Sequence, residues 1–301
     1  MANLTPSGGT EKHRLPPGVG LGLRWDFLEE LLEAPQLALA FLEVSPENYM
    51  QRGGYYPEVL ERVGERYALV THGLTLSLGS MREPEPSFVR ALCAEVERVK
   101  SPWHSDHLSF SHTGGRMTHE LLPMAFTKAS LARTSERIQR LEGDLNVPIV
   151  IENITYYAAP GSGEIPEADF IGELLHRSGA SLLLDVNNVF VNARNHGFEA
   201  LDYLRKLPLE KVVEVHIAGH ESSSWGMLVD THGAPVVPGV SDLLTWVIER
   251  TGPLPVLLER DNKVPPLPEL VREVSELEGV YQRALSMHVA RRESERRARS
   301  A

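Results

Sequence analysis

The chain has 301 residues, 42% of them hydrophobic and 24% charged, with a formal net charge of −11. That balance is ordinary for a globular protein with a sizeable core and excludes a disordered chain. The acidic charge weighs against a general nucleic-acid binder, because phosphate contacts need clustered Lys and Arg.

No apolar run approaches the roughly 20 residues of a membrane-spanning helix. The opening MANLTPSGGTEKHRLPPG has no signal-peptide core, so a cytoplasmic protein with no membrane partner is expected. A single cysteine, Cys93, excludes a disulfide framework and a cysteine-rich metal cluster. It sits in the helical pattern SFVRALCAEVERV with no positive partner beside it, which reads as packing rather than a catalytic thiol.

Residues 1–17 are polar and rich in Pro and Gly and are expected to form a flexible leader. Apolar runs then alternate with helical patterns. VGLGLR (19–24) precedes WDFLEELLEA, and LALAFLEVS (37–45) precedes PEVLERVGER. YALVTHGLTL (67–76) precedes a helix over Pro86–Lys100, and HSDHLSF (104–110) one over Pro123–Leu141. VPIVIENI (147–154) precedes Glu167–Arg177, and SLLLDVNNV (181–189) precedes Phe198–Lys206. VVEVHIAGH (212–220) precedes Val240–Arg250, and LPVLLERD (254–261) leads into a long helical C-terminus.

Eight strands, each followed by a helix and each nearly continuous in apolar residues, are what strands buried on both faces require. A single (β/α)8 TIM barrel over residues 18–285 accounts for them, with residues 286–301 as a basic helical tail. A doubly wound open sheet would carry a phosphate-binding glycine motif after its first strand, and GVGLG lies inside the strand instead.

A barrel gathers functional groups at the C-terminal ends of its strands. Those ends carry Glu43 and Glu47, His72, His107, Glu152 and Asn153, Asp185 with Asn187 and Asn188, His216 and His220, and Glu259 with Asp261. Asp230 and His232 follow the seventh strand. Singly, a strand-end His is more often a hydrogen-bonded structural residue than a ligand, and Glu43 or Asp261 could simply pair with an Arg. Jointly, His72, His107, Glu152, Asp185, His216, Asp230, His232 and Glu259 are what a divalent metal site needs, since several carboxylates in one mouth would otherwise repel and protonate. With no thiolate available the set suits iron, zinc or manganese, and its size points to two or three ions sharing carboxylates. His107 is preferred to His104 because it lies further into SDHLSF.

The segments FLEVSPENYM, THGLTLSLGS, SDHLSF, IENI, LLLDVNNVFVNARNHG, EVHIAGH, DTHG and LLERD resemble, in order, the DUF692 (UPF0276) family of multinuclear non-heme iron-dependent oxidative enzymes, to which a methanobactin-maturation oxidase belongs. The resemblance implies a xylose-isomerase-like barrel holding two or three irons of mixed Fe2+/Fe3+ valence. The implied ligands are His72, His107, Glu152, Asp185, Asn188, His216, Asp230, His232 and Glu259, with His220 a further ligand or a residue at the open position. It also implies O2 as co-substrate, a Cys-containing ribosomally made precursor peptide as substrate, and a small partner protein that delivers it. Asn188, a neutral amide, would leave its ion more open than His would. The rival readings are a zinc or manganese enzyme of endonuclease IV or sugar-isomerase type on the same barrel, and a metal-binding protein without catalysis.

Overall fold

A computed structural model describes residues 15–113, 116–158 and 163–300; of the expected leader, residues 1–14 lie outside the described residues. Eight parallel strands close into a barrel in sequence order. They are β1 (Gly18–Gly22), β2 (Leu42–Val44), β3 (Leu69–Gly73), β4 (His104–His107), β5 (Ile149–Glu152), β6 (Ser181–Asp185), β7 (Val212–Ala218) and β8 (Pro255–Glu259). The principal helices are α1 (Leu28–Glu33), α2 (Tyr55–Gly64), α3 (Pro86–Val99), α4 (Lys128–Leu145), α5 (Glu167–Ser178), α6 (Val186–His196), α7 (Ala200–Leu204), α8 (Pro238–Thr251) and α9 (Leu267–Ser300). No helix among the described residues is long and apolar enough to cross a membrane.

The barrel interior is stratified by the two-residue period of a strand. Phe41, Val70, Val150, Leu183 and Leu257 form an apolar cluster with Trp103 and Leu15. Two residues further along the same strands stand Glu43, His72, Glu152, Asp185 and Glu259, all buried. One layer therefore seals the bottom of the barrel and the next carries the titratable groups. Register brings members of that second layer side by side, with His107 opposite Glu152 and Asp185 opposite His216. The larger apolar core lies between barrel and helices.

Several expected elements differ. The run HSDHLSF is two elements: β4 ends at His107, and Ser109–Thr113 pairs antiparallel with Arg116–Pro123 as a hairpin at the barrel mouth. Accordingly α4 starts at Lys128 rather than Pro123, fixed by a capping box between Thr127 and Ser130. The run SLLLDVNNV is not strand throughout, because Asp185 Oδ1 accepts the Asn188 backbone N–H at 2.7 Å and starts α6 there. The expected helix after it is the short α7. Toward the C-terminus, α9 buries Leu267, Leu270, Val274, Leu277, Tyr281 and Ala284 on one face, and no described residue beyond Ala284 is buried.

Candidate metal centre

Four groups of ligand-type atoms overlap in the barrel: His72, His107 and Glu152; then Glu152, Asp185, His216 and Glu259; then His232, Glu259 and Asp261; and a fully buried fourth, Glu43, Glu214 and His216, which shares His216 with the second. Glu152 belongs to the first and second and Glu259 to the second and third. In the first, His72 Nε2 and His107 Nε2 lie 3.3 Å apart, and Glu152 Oε2 is 3.2 and 3.1 Å from them. Atoms bound at about 2.0–2.2 Å to one ion sit roughly 3.0–3.5 Å from each other, so this spacing is that of one coordination sphere. Each imidazole is steered by a bond from its other nitrogen: His72 Nδ1 to Ser105 Oγ at 3.0 Å and His107 Nδ1 to the Gly73 carbonyl at 3.2 Å.

In the second group His216 Nδ1 stands 3.4 Å from Glu259 and 3.6 Å from Glu152, while its Nε2 is 3.0 Å from Glu43 Oε2. The Asp185 carboxylate divides its work, with Oδ1 capping α6 while Oδ2 is buried and unbonded. In the third, His232 Nδ1 is 2.9 Å from Asp261 and Nε2 is 2.8 Å from Asp230. His232 has φ 50°, a left-handed conformation that costs a non-glycine residue of order 1 kcal/mol and is sustained here by contacts on both sides of the ring.

The donor set fits a divalent metal. Glu152 Oε2, Asp185 Oδ2, His216 Nδ1 and Glu259 Oε2 are buried and make no hydrogen bond among the described residues. Buried polar atoms without partners cost about 1–3 kcal/mol each and mark an ion or functional role. Electrostatics agree. Burial pushes the Glu43, Glu152 and Asp185 carboxyls up, Asp185 to about 8, with Glu259 adding repulsion in each case. Burial opposes charge on His216 and His232, yet the facing carboxylates raise both well above the ordinary imidazole value. Burial and neighbouring imidazoles hold His72 well below it, and burial takes His107 down to about 4. Neutral imidazoles and crowded carboxyls that must shed protons are the state a metal ion exploits, its charge replacing those protons.

The expected residues are placed unevenly. His72, His107, Glu152, Asp185, His216, His232 and Glu259 come together. Asp230 touches His232 but stands outside the four groups, accepting from Asn187 Nδ2 at 2.6 Å. Asn188 lines the pocket above the groups, with Oδ1 accepting from Thr155 at 2.5 Å and Nδ2 donating to the Asn153 carbonyl at 2.9 Å. His220 joins none of them: Nδ1 is 2.7 Å from Asn187 Oδ1 and the ring stacks on Phe190, so it reaches Asp230 only through Asn187. The strand has ended at Ala218, and strand parity no longer aims the side chain. The glycine between is dictated by packing, since a Cβ on Gly219 would fall inside the Ala234 carbonyl.

Other strand-end residues have other uses. Glu47 accepts from the Leu74 and Thr75 backbone N–H groups at 2.8 and 3.1 Å, fixing the loop after β3. Asp261 pairs with Arg24 as well as His232, and the two hold its carboxyl low against the upward pull of burial. Arg24 carries no ligand type and left no sequence signal. Glu43 does more than a strand-end carboxylate suggests, because it orients His216.

His104 is separate from the groups, with Nδ1 3.1 Å from Thr71 Oγ1 and Nε2 buried and unbonded. Burial holds its pKa at about 3, so the folded state keeps it neutral while the unfolded chain protonates near 6.5. The unfolded state then binds the extra proton, and stability present above pH ~6.5 is lost as pH falls toward 3. Urea titrations of metal-free protein between pH 7 and pH 4 should show this loss, and His104→Gln should make the slope shallower by up to about 1.4 kcal/mol per pH unit. An unchanged slope would remove His104 from the account.

The model of a family described as RiPP precursor modification enzyme MbnB/TglH/ChrH matches residues 18–282. A UPF0276 protein of Shewanella amazonensis is 38% identical over 258 residues, 86% of this chain and 92% of its own. One from Bordetella parapertussis is 39% identical over 278 residues, 91% and 96% of the two chains. Among solved structures, endonuclease IV of Thermus thermophilus aligns with TM-score 0.53 and 20% identity over 90% of this chain and 99% of its own. A D-psicose 3-epimerase aligns with TM-score 0.53 and 11% identity, covering 90% and 97%. At such identities these two likenesses speak for the barrel and not for its chemistry.

Proposed function

Because the chain belongs to the RiPP precursor modification enzyme family MbnB/TglH/ChrH, we propose that it is an iron-dependent oxidase that modifies a cysteine of a ribosomally made precursor peptide, with O2 as the electron acceptor. The observation that carries this reading is the run of three donor groups joined through Glu152 and Glu259, which suits two or three ions rather than one. Iron bound there would supply redox electrons and a Lewis-acidic position for a substrate thiolate. The chain's own residues do the rest. Glu152 and Glu259 would each be shared between neighbouring positions, His72 and His107 offer neutral nitrogens, His216 would give up a proton to bind, and Ser105, the Gly73 carbonyl and Glu43 fix which nitrogen faces inward.

Asp230, His232 and Asn188 line an open pocket of about 460 Å3 with Tyr157, large enough for a peptide side chain rather than a whole folded partner. Tyr157 accepts the Asp230 backbone N–H at 3.0 Å, leaving its own proton free for a substrate group. A partner protein that delivers the peptide, as the family resemblance implies, forms part of this proposal.

Protein purified without oxygen should contain more than one iron per chain and consume O2 with a Cys-containing precursor peptide but not with its Cys→Ser counterpart. Zinc alone, with no O2 uptake, would favour the hydrolase or isomerase reading of the same barrel.

A further inference from the structure

The loop between β3 and α3 and the hairpin Ser109–Pro123 wall two spaces. Leu74, Glu120 and Leu121 line the metal pocket, while Thr75, Leu76 and Met117 line a second cavity of about 1070 Å3 that also reaches the first turn of α4. Met81, Phe88, Phe110, Met117 and Met124 make much of that cavity apolar. Met81 is 77% exposed and Met117 37%, an open apolar lining of adaptable side chains of the kind that marks a binding surface.

Its charges are uneven. Arg82 and Arg133 line the cavity, and neither guanidinium has an ion pair or hydrogen bond among the described residues. Arg133 Nε is buried without a partner. Nearby Arg137 and Arg140 are both matched by Glu83, so the Glu83 carboxylate, though on the wall, is already engaged. Glu85 is the remaining carboxylate there and can balance only one of the two guanidinia, leaving one in excess. The N-terminal turn of α4 adds the positive end of a helix. In a chain of net charge −11, a cationic apolar pocket is a local reversal that selects its ligand.

We propose that this cavity docks a segment of the precursor peptide in which apolar side chains stand beside Asp or Glu, holding the peptide while a residue further along enters the metal pocket. The proposal rests on the reading that the substrate is a peptide. An extended chain covers about 3.3–3.6 Å per residue. Leu74 and Thr75 are adjacent in sequence, so a peptide seated in one space crosses to the other within a few residues.

Two pools of fluorescein-labelled dodecapeptides test this by anisotropy, one randomised over Leu, Phe, Asp and Glu and the other over Leu, Phe, Lys and Arg. The acidic pool should bind the protein saturably, and Arg133→Gln should weaken that binding at least tenfold. Met81→Ser, at an exposed position that cannot disturb folding, should weaken it as well. Binding of the basic pool should be indifferent to Arg133→Gln, and metal content should be unchanged in both variants. Absence of saturable binding by the acidic pool, or binding that Arg133→Gln leaves intact, would overturn the proposal. The assay needs neither iron nor O2, so a failure of the oxidase reading leaves this result standing, and the reverse holds equally.

Discussion

Glu152→Gln should strip metal from two positions at once and lower activity at least about a hundredfold, beyond the 10–100-fold typical of losing an outer-shell partner. The Glu152 Oε2 atom is within 3.2 Å of both His72 and His107, and Oε1 faces His216 Nδ1 at 3.6 Å, so one carboxylate completes two donor groups. Glutamine keeps the volume but loses the charge and one acceptor. Asp185→Asn, which touches a single group, should lose fewer ions per chain. The comparison also separates a lost ligand from a lost fold. Burial drives the metal-free Glu152 carboxyl toward its protonated form, so a neutral amide there costs the metal-free barrel little. Melting of metal-free Glu152→Gln should match or exceed that of the parent, and full metal content in the variant would show that the carboxylate is no bridge.

Glu43→Ala should weaken metal binding by about 10–100-fold through the histidine it holds, without removing an atom of the groups joined by Glu152 and Glu259. His216 is fully buried, with Nε2 3.0 Å from Glu43 and Nδ1 turned to Glu152 and Glu259. The bond to Glu43 places the proton on Nε2 and leaves the Nδ1 lone pair for an ion. Without the carboxylate, both the tautomer and the ring plane lose their anchor. Glu43→Gln retains an accepting oxygen and should recover most of the affinity. Nitrogen-15 spectra of histidine-labelled, zinc-loaded protein distinguish the ligating nitrogen, and Nδ1 coordination with parental affinity in Glu43→Ala would show that Glu43 has no such part.

Much of the fold was legible because the chain repeats one unit eight times and each repeat ends in polar groups. Errors fell where an apolar run outlasts the barrel. HSDHLSF continues in strand conformation after β4, but as a hairpin that changes partners at Leu108. LDVNNV looks like strand until Asp185 bonds back to the Asn188 N–H and turns the chain into α6. Neither event alters the pattern of apolar residues, so periodicity could not register it.

By itself the sequence determined which residue types stand at the ends of eight parallel strands, since a two-residue period on strands with apolar roots forces His72, Glu152, Asp185 and Glu259 onto one interior layer. The tertiary structure alone decided how those groups are shared. Whether a carboxylate is shared by two donor groups, as Glu152 is, orients a histidine, as Glu43 does, or pairs with an arginine, as Asp261 does, depends on register between strands far apart in sequence and on which oxygen faces which neighbour. The same reason sets His220 apart from the site its neighbours build: one step beyond the strand, its direction is governed by Asn187 and Phe190 rather than by the barrel.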